Sequence, residues 1–255
     1  MSGVRSLRWV AALLTVVLAS GCATVPGAAP AAKEDPWENF NRKVFSFNEA
    51  VDVAVLKPVA ETYVKVVPRL IRTGISNVFG NIADVWSTAN HFLQGKVSTG
   101  LEMGMRVLTN TAFGLGGLLD PATEMGLTRR SEDFGQTLGR WGMGPGPFLV
   151  LPLLGPSTLR DTGGLLVDRR TAPSTLTNSD AASYGITSLQ IVDLRAGLLG
   201  TTQLLDQVSL DKYLFIRQAY LSRRRDAVYD GAAPLESFDD FPADPGAEPA
   251  KPAPK

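Results

Sequence analysis

The stretch Trp141–Leu159, WGMGPGPFLVLPLLGPSTL, decides how the rest of the chain is interpreted. It contains no charged residue, although Arg140 precedes it and Arg160 and Asp161 follow it. Its length and apolarity are those of a membrane span. Its four glycines and four prolines nevertheless rule out a regular helix, because proline lacks the N–H donor and glycine disfavours helical backbone.

We therefore predict an apolar hairpin with two short arms, Phe148–Leu151 and Leu153–Leu154, bent at Pro152 between Gly-Pro turns. Irregular backbone is tolerated at membrane depth only where protein or a water-filled cavity satisfies its polar groups. The hairpin then lies at a lipid interface or lines an apolar cavity, and a buried core strand or loop is the alternative. On the lipid interpretation, the residues that border a lipid path are Phe148, Leu149, Val150, Leu151, Pro152, Leu153, Leu154, Arg160 and Asp161.

The beginning of the chain is predicted to be a signal peptide spanning residues 1–21. Arg5 and Arg8 form its positive region, and the apolar run Trp9–Ala19 is too short to span a membrane as a helix. The sequence Leu18-Ala19-Ser20-Gly21-Cys22 resembles a bacterial lipobox, in which the cysteine is acylated and the chain is cleaved before it.

Cys22 is the single cysteine, so an intramolecular disulfide and a zinc cluster of cysteines are excluded. Acyl chains on Cys22 would anchor the protein to a membrane without spanning it. In Gram-negative lipoproteins, an aspartate after the acylated cysteine resembles an inner-membrane retention signal. Ala23 occupies that position here, which favours the outer membrane.

Composition divides the remaining chain into a Pro/Ala tether at 22–35, one domain at 36–230, and a disordered acidic, Pro/Ala-rich tail at 231–255. The whole chain has 25 Lys and Arg against 25 Asp and Glu. Removal of the signal peptide takes away two arginines, so the mature chain is slightly acidic. This balance argues against a nucleic-acid partner, which requires a basic surface.

Apolar residues within the domain recur at spacings of three and four, which predicts amphipathic helices. Phe40, Phe47 and Val51 lie on one face of the first helix, which we expect to face the membrane and to end near Pro58. Strand signals are weak and no Asn-Gly or Asp-Gly pair joins two strand-like runs as a hairpin, so the predicted fold is all-α. The other expected helices are Val59–Val67, one from near Ile71 to Gly95, one ended by Gly114, Gly116 and Gly117, Ser131–Arg140, Leu159–Val167 with an N-cap at Ser157, Ile186–Val208 and Leu210–Val228.

The sequence offers little that could carry out catalysis. The single histidine, His91, falls opposite an apolar stripe and is expected at the surface; no second histidine or cysteine could complete a metal site. Motifs for nucleotide binding and for serine hydrolases are absent, and only carboxylate chemistry is left open. We therefore predict a protein that is not an enzyme and needs no cofactor or metal. The run Arg223–Arg225 is interpreted as a solvated helix end, with contact to lipid phosphates or an acidic partner as alternatives.

Several motifs of the domain resemble those of the MlaA (VacJ) lipoproteins, over roughly residues 35–230. The matching segments are Asp35-Pro36-Trp37-Glu38-Asn39-Phe40-Asn41-Arg42, Phe45-Ser46-Phe47-Asn48, Leu56-Lys57-Pro58-Val59-Ala60, Ser76-Asn77-Val78-Phe79, Phe92-Leu93-Gln94-Gly95, Phe134-Gly135-Gln136-Thr137-Leu138-Gly139, Gly144-Pro145-Gly146-Pro147 and Leu151-Pro152-Leu153-Leu154-Gly155-Pro156-Ser157-Thr158-Leu159-Arg160-Asp161.

The resemblance implies a lipoprotein on the periplasmic face of the Gram-negative outer membrane that maintains lipid asymmetry. It also implies a ring of amphipathic helices in the inner leaflet around a central channel. Such a protein would be a passive conduit that takes phospholipids from the outer leaflet and hands them to a periplasmic carrier similar to MlaC, in association with a trimeric porin. A structural lipoprotein that only tethers a partner to the membrane is the competing interpretation.

Overall fold

Helices make up most of the structure, as predicted. The computed structural model describes residues 34–233; the predicted signal peptide, Cys22 and most of the predicted tail lie outside the described residues. The helices are α1 Glu38–Val51, α2 Lys57–Val66, α3 Arg69–Leu93, α4 Val97–Ala112, α5 Pro121–Glu124, α6 Phe134–Arg140, α7 Leu159–Asp168, α8 Asp180–Val208 and α9 Lys212–Val228. The all-α prediction is confirmed, while the arrangement around a channel stays a prediction.

One antiparallel hairpin interrupts the helices, formed by β1 Phe148–Leu151 and β2 Gly155–Thr158. The first predicted arm is confirmed, but the second is wrong because Leu153 and Leu154 form the turn. The bend at Pro152 is confirmed, and the hairpin lacks an Asn-Gly or Asp-Gly turn, as the sequence indicated. The paired residues are Phe148 with Thr158, Leu149 with Ser157, Val150 with Pro156, and Leu151 with Gly155.

The first helix does not end near Pro58, contrary to the prediction. The π-helical segment Asp52–Leu56 continues from α1 directly into α2, and Pro58 is the second residue of α2. A π-helical turn changes the hydrogen-bonding pattern immediately before the proline, so the missing N–H of Pro58 does not stop the helix. α2 ends at Val66, before Pro68, close to the predicted position.

Helices α3 and α4 form a helical hairpin whose turn is the predicted one. Gly95 has φ +75°, a left-handed conformation that favours glycine at a helix C-terminus. The N–H of Lys96 donates to the carbonyl of His91 at 2.9 Å. A Cβ on Gly100 would lie 2.9 Å from the ring of Phe92, so the lack of a side chain at Gly100 permits this close packing.

Helices α6 and α7 cross with their backbones in contact. A Cβ on Gly164 of α7 would lie 2.5 Å from the backbone nitrogen of Gly135 in α6, so no larger residue fits at this crossing.

The predicted N-cap of α7 is displaced by one residue. Ser157 belongs to β2, and the hydroxyl of Thr158 accepts the N–H of Asp161 at 3.2 Å.

The interior of the described chain is polar and much of its exterior is apolar. Among the described residues, 19 polar or charged residues are buried against only 7 apolar ones. A water-soluble domain places its apolar side chains inside. The stripes of α3 and α4 instead point outward, at Ile71, Val85, Leu93, Leu101, Met105 and Leu108.

Candidate functional site

The base of the β-hairpin belongs to the core. Phe148 and Val150 are buried and pack against Tyr213 of α9, with Phe45 and Tyr220 partly buried around them. The rings of Phe148 and Tyr213 meet edge-on, with centroids 6.2 Å apart. The prediction that Phe148 and Val150 border a lipid path is therefore corrected: alternation along β1 turns these two side chains into the core.

The other side of β1 and the turn face outward. Leu149 and Leu151 are half-buried, whereas Pro152 is exposed. Leu153 is 64% exposed and Leu154 is 51% exposed. Of the predicted lipid-path residues, these five retain apolar surface outside the core.

The outer edge of β1 is covered by α1 and by the segment that precedes it. The N–H of Phe148 donates to the carbonyl of Glu34 at 2.8 Å. The side-chain amide of Asn41 donates to the carbonyl of Phe148 at 3.1 Å, and its oxygen accepts the N–H of Val150 at 2.9 Å. Asn41 thus replaces a third strand and satisfies backbone groups that an open sheet edge would leave unpaired.

Asp35 lies in the same buried cluster. Its carboxylate accepts from the amide of Asn41 at 2.8 Å, from the guanidinium of Arg217 at 3.0 Å and from the hydroxyl of Tyr213. Asp35 is fully buried, so it belongs to the domain and not to the predicted tether. Burial and the neighbouring Asp35 carboxylate together raise the pKa of Tyr213.

The turn of the hairpin has an unusual backbone conformation. The N–H of Leu154 donates to the carbonyl of Leu151 at 3.3 Å, with Pro152 as the second residue of the turn and Leu153 at φ +63° as the third. These features define a type II turn, which favours glycine or asparagine in the third position. Left-handed backbone costs a residue with a Cβ about 1–2 kcal/mol.

Asn48 of α1 contacts this turn directly. Its side-chain amide donates to the carbonyl of Leu151 at 2.9 Å, and its oxygen accepts the N–H of Leu153 at 2.8 Å. Asn41 and Asn48 are two turns apart on the same helix face. The two asparagines therefore attach the base and the tip of the hairpin to α1.

Arg160 and Asp161, predicted at the foot of the hairpin, are buried in an ion-pair network. Asp161 accepts from Arg160 at 2.9 Å, from Arg224 at 2.9 Å and from the hydroxyl of Tyr220 at 2.8 Å. Burial opposes ionisation of Asp161, but the hydrogen bond and charge of Arg224 outweigh it and lower its pKa. Arg224 also binds Asp133, the N-cap of α6, at 2.9 Å. Arg224 lies in the middle of the run that was predicted to be solvated, and it instead joins α9 to α6 and α7 through ion pairs.

The first helix exposes the apolar residues that were predicted to face a membrane. Phe40 is 47% exposed and Phe47 is 52% exposed, while Val51 is half-buried. Asn41 and Asn48 lie on the inward side of the same helix. The inward side of α1 is mixed: Asn41 and Asn48 bond to the hairpin there, and Phe45 packs against the aromatic core.

Arg106 is the centre of the polar interior between α3 and α4. Its side chain is almost fully buried and donates to Asp84 at 3.2 Å, to Asp120 at 2.5 Å and to the carbonyl of Leu127 at 2.6 Å. Burial opposes ionisation of Asp120, but hydrogen bonds from Thr123, Asn110 and Arg106 lower its pKa to about 2. Paired charges replace apolar packing in this region.

His91 is buried in this interior, so the prediction of a surface histidine is wrong. Its Nε2 lies 3.0 Å from the carbonyl of Arg130, and its Nδ1 lies 3.0 Å from the hydroxyl of Thr99. A carbonyl can only accept, so Nε2 carries a proton. The residue connects α3, α4 and the loop before α6.

Sequence reasoning missed Asn41, Asn48 and Arg106. Each recurs at helical spacing with other polar residues opposite an apolar stripe, a pattern that is usually interpreted as the solvated face of a helix. The spacing identifies the polar face, but it does not tell whether that face meets water or protein.

Two surface grooves lie away from the hairpin. One of about 460 Å³ is lined by Pro58, Val59, Thr62, Tyr63, Val66, Val67 and Val192. Another of about 520 Å³ is lined by Thr73, Asn77, Phe113, Leu119, Asp120, Pro121, Thr123 and Glu124. Among residues 34–233, no helix is sufficiently long and apolar to cross a membrane, and no group of three acidic, histidine or cysteine residues is arranged to hold a metal ion.

Comparison with known proteins matches residues 33–227 to the family model described as MlaA lipoprotein. The chain belongs to the MlaA lipoprotein family. The match begins just before Asp35, in agreement with the burial of that residue in the domain.

Individual MlaA proteins align along nearly their whole length. The intermembrane phospholipid transport system lipoprotein MlaA of Escherichia coli (strain K12) is 37% identical, over 88% of this chain and 90% of the relative. The protein of the same description from Haemophilus influenzae is 31% identical, over 91% of this chain and 94% of the relative.

A solved structure shares the fold of this MlaA family member. It is described as "Structural basis for maintenance of bacterial outer membrane lipid asymmetry". It matches with a TM-score of 0.67 at 37% identity and covers 76% of this chain and 98% of the solved chain.

Proposed function

We propose that the protein is an outer-membrane lipoprotein, acylated at Cys22, that transports phospholipids and maintains lipid asymmetry. It acts as a passive conduit that removes phospholipids from the outer leaflet and hands them to a soluble periplasmic carrier similar to MlaC. A trimeric porin is the proposed partner in the membrane. Family membership and the relatives that are named for intermembrane phospholipid transport support the substrate class.

The observation that carries the proposal is the inverted polarity of α3 and α4. Their outward residues, such as Val85, Leu101 and Leu108, would each lose hydrophobic free energy in water at about 25 cal/mol per Å² of apolar surface. In the hydrocarbon of a membrane leaflet, these apolar faces contact acyl chains and avoid this loss. Buried groups such as Arg106 and Asp84 are satisfied by each other, as a bilayer requires.

The lipid path is proposed to run along the exposed side of the hairpin. Leu149, Leu151, Leu153 and Leu154 offer an apolar surface to acyl chains, while the core side of β1 holds the hairpin in place. A conduit of this kind only lowers the barrier to moving a polar head group. Net direction then comes from the carrier that removes the lipid, and no nucleotide site is needed.

Vesicles that contain the purified full-length lipoprotein, a fluorescent phospholipid and a soluble lipid-binding acceptor test this function. We expect transfer to the acceptor at a rate proportional to the amount of lipoprotein. Leu151→Asp should lower transfer, because acyl chains would meet a carboxylate, without loss of folded protein. Leu176→Asp, an exposed apolar position outside the hairpin, is the matched control.

The tether alternative predicts membrane-bound lipoprotein with no transfer above protein-free vesicles, and that result would reject the conduit. Parallel loss of fold and transfer in Leu151→Asp would instead assign Leu151 to the core. A Cys22→Ala precursor tests the anchor separately, since it should fail to reach the outer membrane on fractionation.

A further inference from the structure

The hairpin tip combines strain, exposure and an external support. Two positions of the tip have left-handed backbone: Leu153 at φ +63° and Gly155 at φ +84°. The chain uses glycine at the second position, where a Cβ would meet nothing within 4 Å. At the first position it keeps a leucine, in the one turn position that favours glycine or asparagine. Strain of this kind persists only where surrounding structure enforces it.

The leucine at this position is not stabilised by the hydrophobic core. Its side chain is 64% exposed, and the core contacts of the hairpin are made at the base by Phe148 and Val150. Glycine at position 153 would fit the same backbone with less strain. A bulky apolar side chain is therefore held outward at a conformational cost that packing does not offset.

The enforcing contact is Asn48. Its amide spans the turn, with its nitrogen 2.9 Å from the carbonyl of Leu151 and its oxygen 2.8 Å from the nitrogen of Leu153. The turn's own hydrogen bond, from the N–H of Leu154 to the carbonyl of Leu151, is longer at 3.3 Å. Asn48 thus fixes the two peptide groups on either side of Pro152 from a separate element, α1.

We infer that Asn48 is a positioning residue that holds the hairpin tip in its strained turn, so that Leu153 is presented to the acyl chains of the transported phospholipid. This inference rests on the proposed conduit function. It assigns acyl chains, and not the lipid head group, as the chemistry that the tip contacts, because no charged side chain belongs to the tip at 152–155.

The test combines a structural readout with a transport readout in the full-length lipoprotein in vesicles. Hydrogen exchange at the Leu154 amide reports whether the turn is closed. Asn48→Ala should accelerate this exchange by about tenfold, because the penalty on left-handed leucine is then unopposed. In a Leu153→Gly background the same Asn48→Ala change should have little effect, because glycine keeps the turn without support.

Transfer of fluorescent phospholipid to the acceptor should fall severalfold in Asn48→Ala and in Leu153→Gly. The double variant should transfer no more slowly than Leu153→Gly alone. Asn39→Ala, an exposed asparagine on the same helix, and Leu176→Gly, an exposed leucine outside the hairpin, are the matched controls and should transfer at the wild-type rate. Leu153→Gly should retain the wild-type melting temperature, which separates a loss of transfer from a loss of fold.

Unchanged exchange at Leu154 in Asn48→Ala would overturn the support by Asn48. Accelerated exchange with wild-type transfer would overturn its role in the lipid path. If Asn48→Ala does not fold, Asn48→Asp replaces it, since a carboxylate accepts from Leu153 but cannot donate to Leu151. Wild-type vesicles without any transfer would reject the proposed function, and the exchange comparison would still decide whether Asn48 holds the turn.

Discussion

The α3–α4 hairpin and the corner around the β-hairpin are folded on opposite principles. Between α3 and α4 the interior is ionic, centred on Arg106, and the apolar stripes face outward. At the corner, Phe148, Val150 and Tyr213 form a small aromatic core with polar groups around it. One region therefore leaves its apolar face exposed, whereas the other carries its own hydrophobic core.

The difference shows that two kinds of interaction specify the structure in two parts of this molecule. In the proposed lipid environment, apolar faces gain little by associating with one another, so directional polar contacts would specify how α3 and α4 pack. The corner is specified by close packing, and it positions the hairpin. Three substitutions and one change of pH test this difference between the two regions, in decreasing order of expected effect.

The largest effect is expected for Arg106→Ala. Removal of one partner from a buried ion-pair network costs about 3–5 kcal/mol, because Asp84 and Asp120 lose a buried partner. Arg129→Ala is the control, since Arg129 also donates to Asp84, at 3.0 Å, but its side chain is 36% exposed. Its loss should cost less than that of Arg106, because Asp84 keeps Arg106 as a partner and the guanidinium of Arg129 is partly solvated in the folded protein. Denaturant unfolding of both variants in vesicles measures the two values, and equal losses would contradict an ionic interior.

Leu108→Asp tests the outward apolar face. A carboxylate at this position should cost about 2–3 kcal/mol in a bilayer, as for charges placed within hydrocarbon. At a water-facing surface the same change would stay within about 0.5 kcal/mol. Unfolding in vesicles, with Leu108→Met as the neutral control, distinguishes the two. A variant as stable as the control would show that this face does not meet lipid.

Phe148→Leu tests the aromatic core with a smaller effect. The ring makes edge-on contacts with Tyr213 and Tyr220, and its replacement by an aliphatic side chain should cost about 1–2 kcal/mol. The control is Leu154→Ala at the exposed tip, which should change the free energy of unfolding by less than about 0.5 kcal/mol. If the two variants lose the same stability, the base and tip of the hairpin do not differ as described.

The smallest effect is expected from acid on Asp120. Hydrogen bonds in the folded state lower its pKa to about 2, below the ordinary value of about 3.9. A lowered folded-state pKa contributes stability above the ordinary pKa, and this contribution is lost as the pH falls from about 4 towards 2. Asp120→Asn should therefore flatten the pH dependence of the melting temperature in that range. An unchanged slope would show that Asp120 is not held ionised by the interior.

The sequence predicted the helical fold, the end of α3 at Gly95 and the arm Phe148–Leu151, because these depend on local periodicity and backbone preference. It predicted the apolar stripe of α3 correctly, but it did not indicate whether the stripe faces the interior or the exterior of the protein. His91 was misplaced for that reason: the polar side of its helix faces protein. Arg224 was misplaced because its partners, Asp133 and Asp161, are distant in sequence and are brought together only by the crossing of α6 and α7.

The hairpin turn shows a different limit of sequence reasoning. Pro152 was recognised as the bend, but a leucine at a left-handed position carries no local signal. The contact that permits it comes from Asn48, over a hundred residues away. Family resemblance located the motif that contains Asn48, and the structure supplies the reason for the amide in it.

The burial of Asp35 also determines how force would travel through the molecule. Any pull exerted by a membrane anchor at the beginning of the chain reaches the domain at this residue. Its carboxylate is bonded to Asn41 in α1 and to Tyr213 and Arg217 in α9, and the adjacent Glu34 carbonyl accepts from Phe148 in β1. Tension would therefore be shared among three elements at once, and α1 would not peel away from its end as a lone helix does. Lateral drag on the proposed anchor at Cys22 would therefore move the whole domain together.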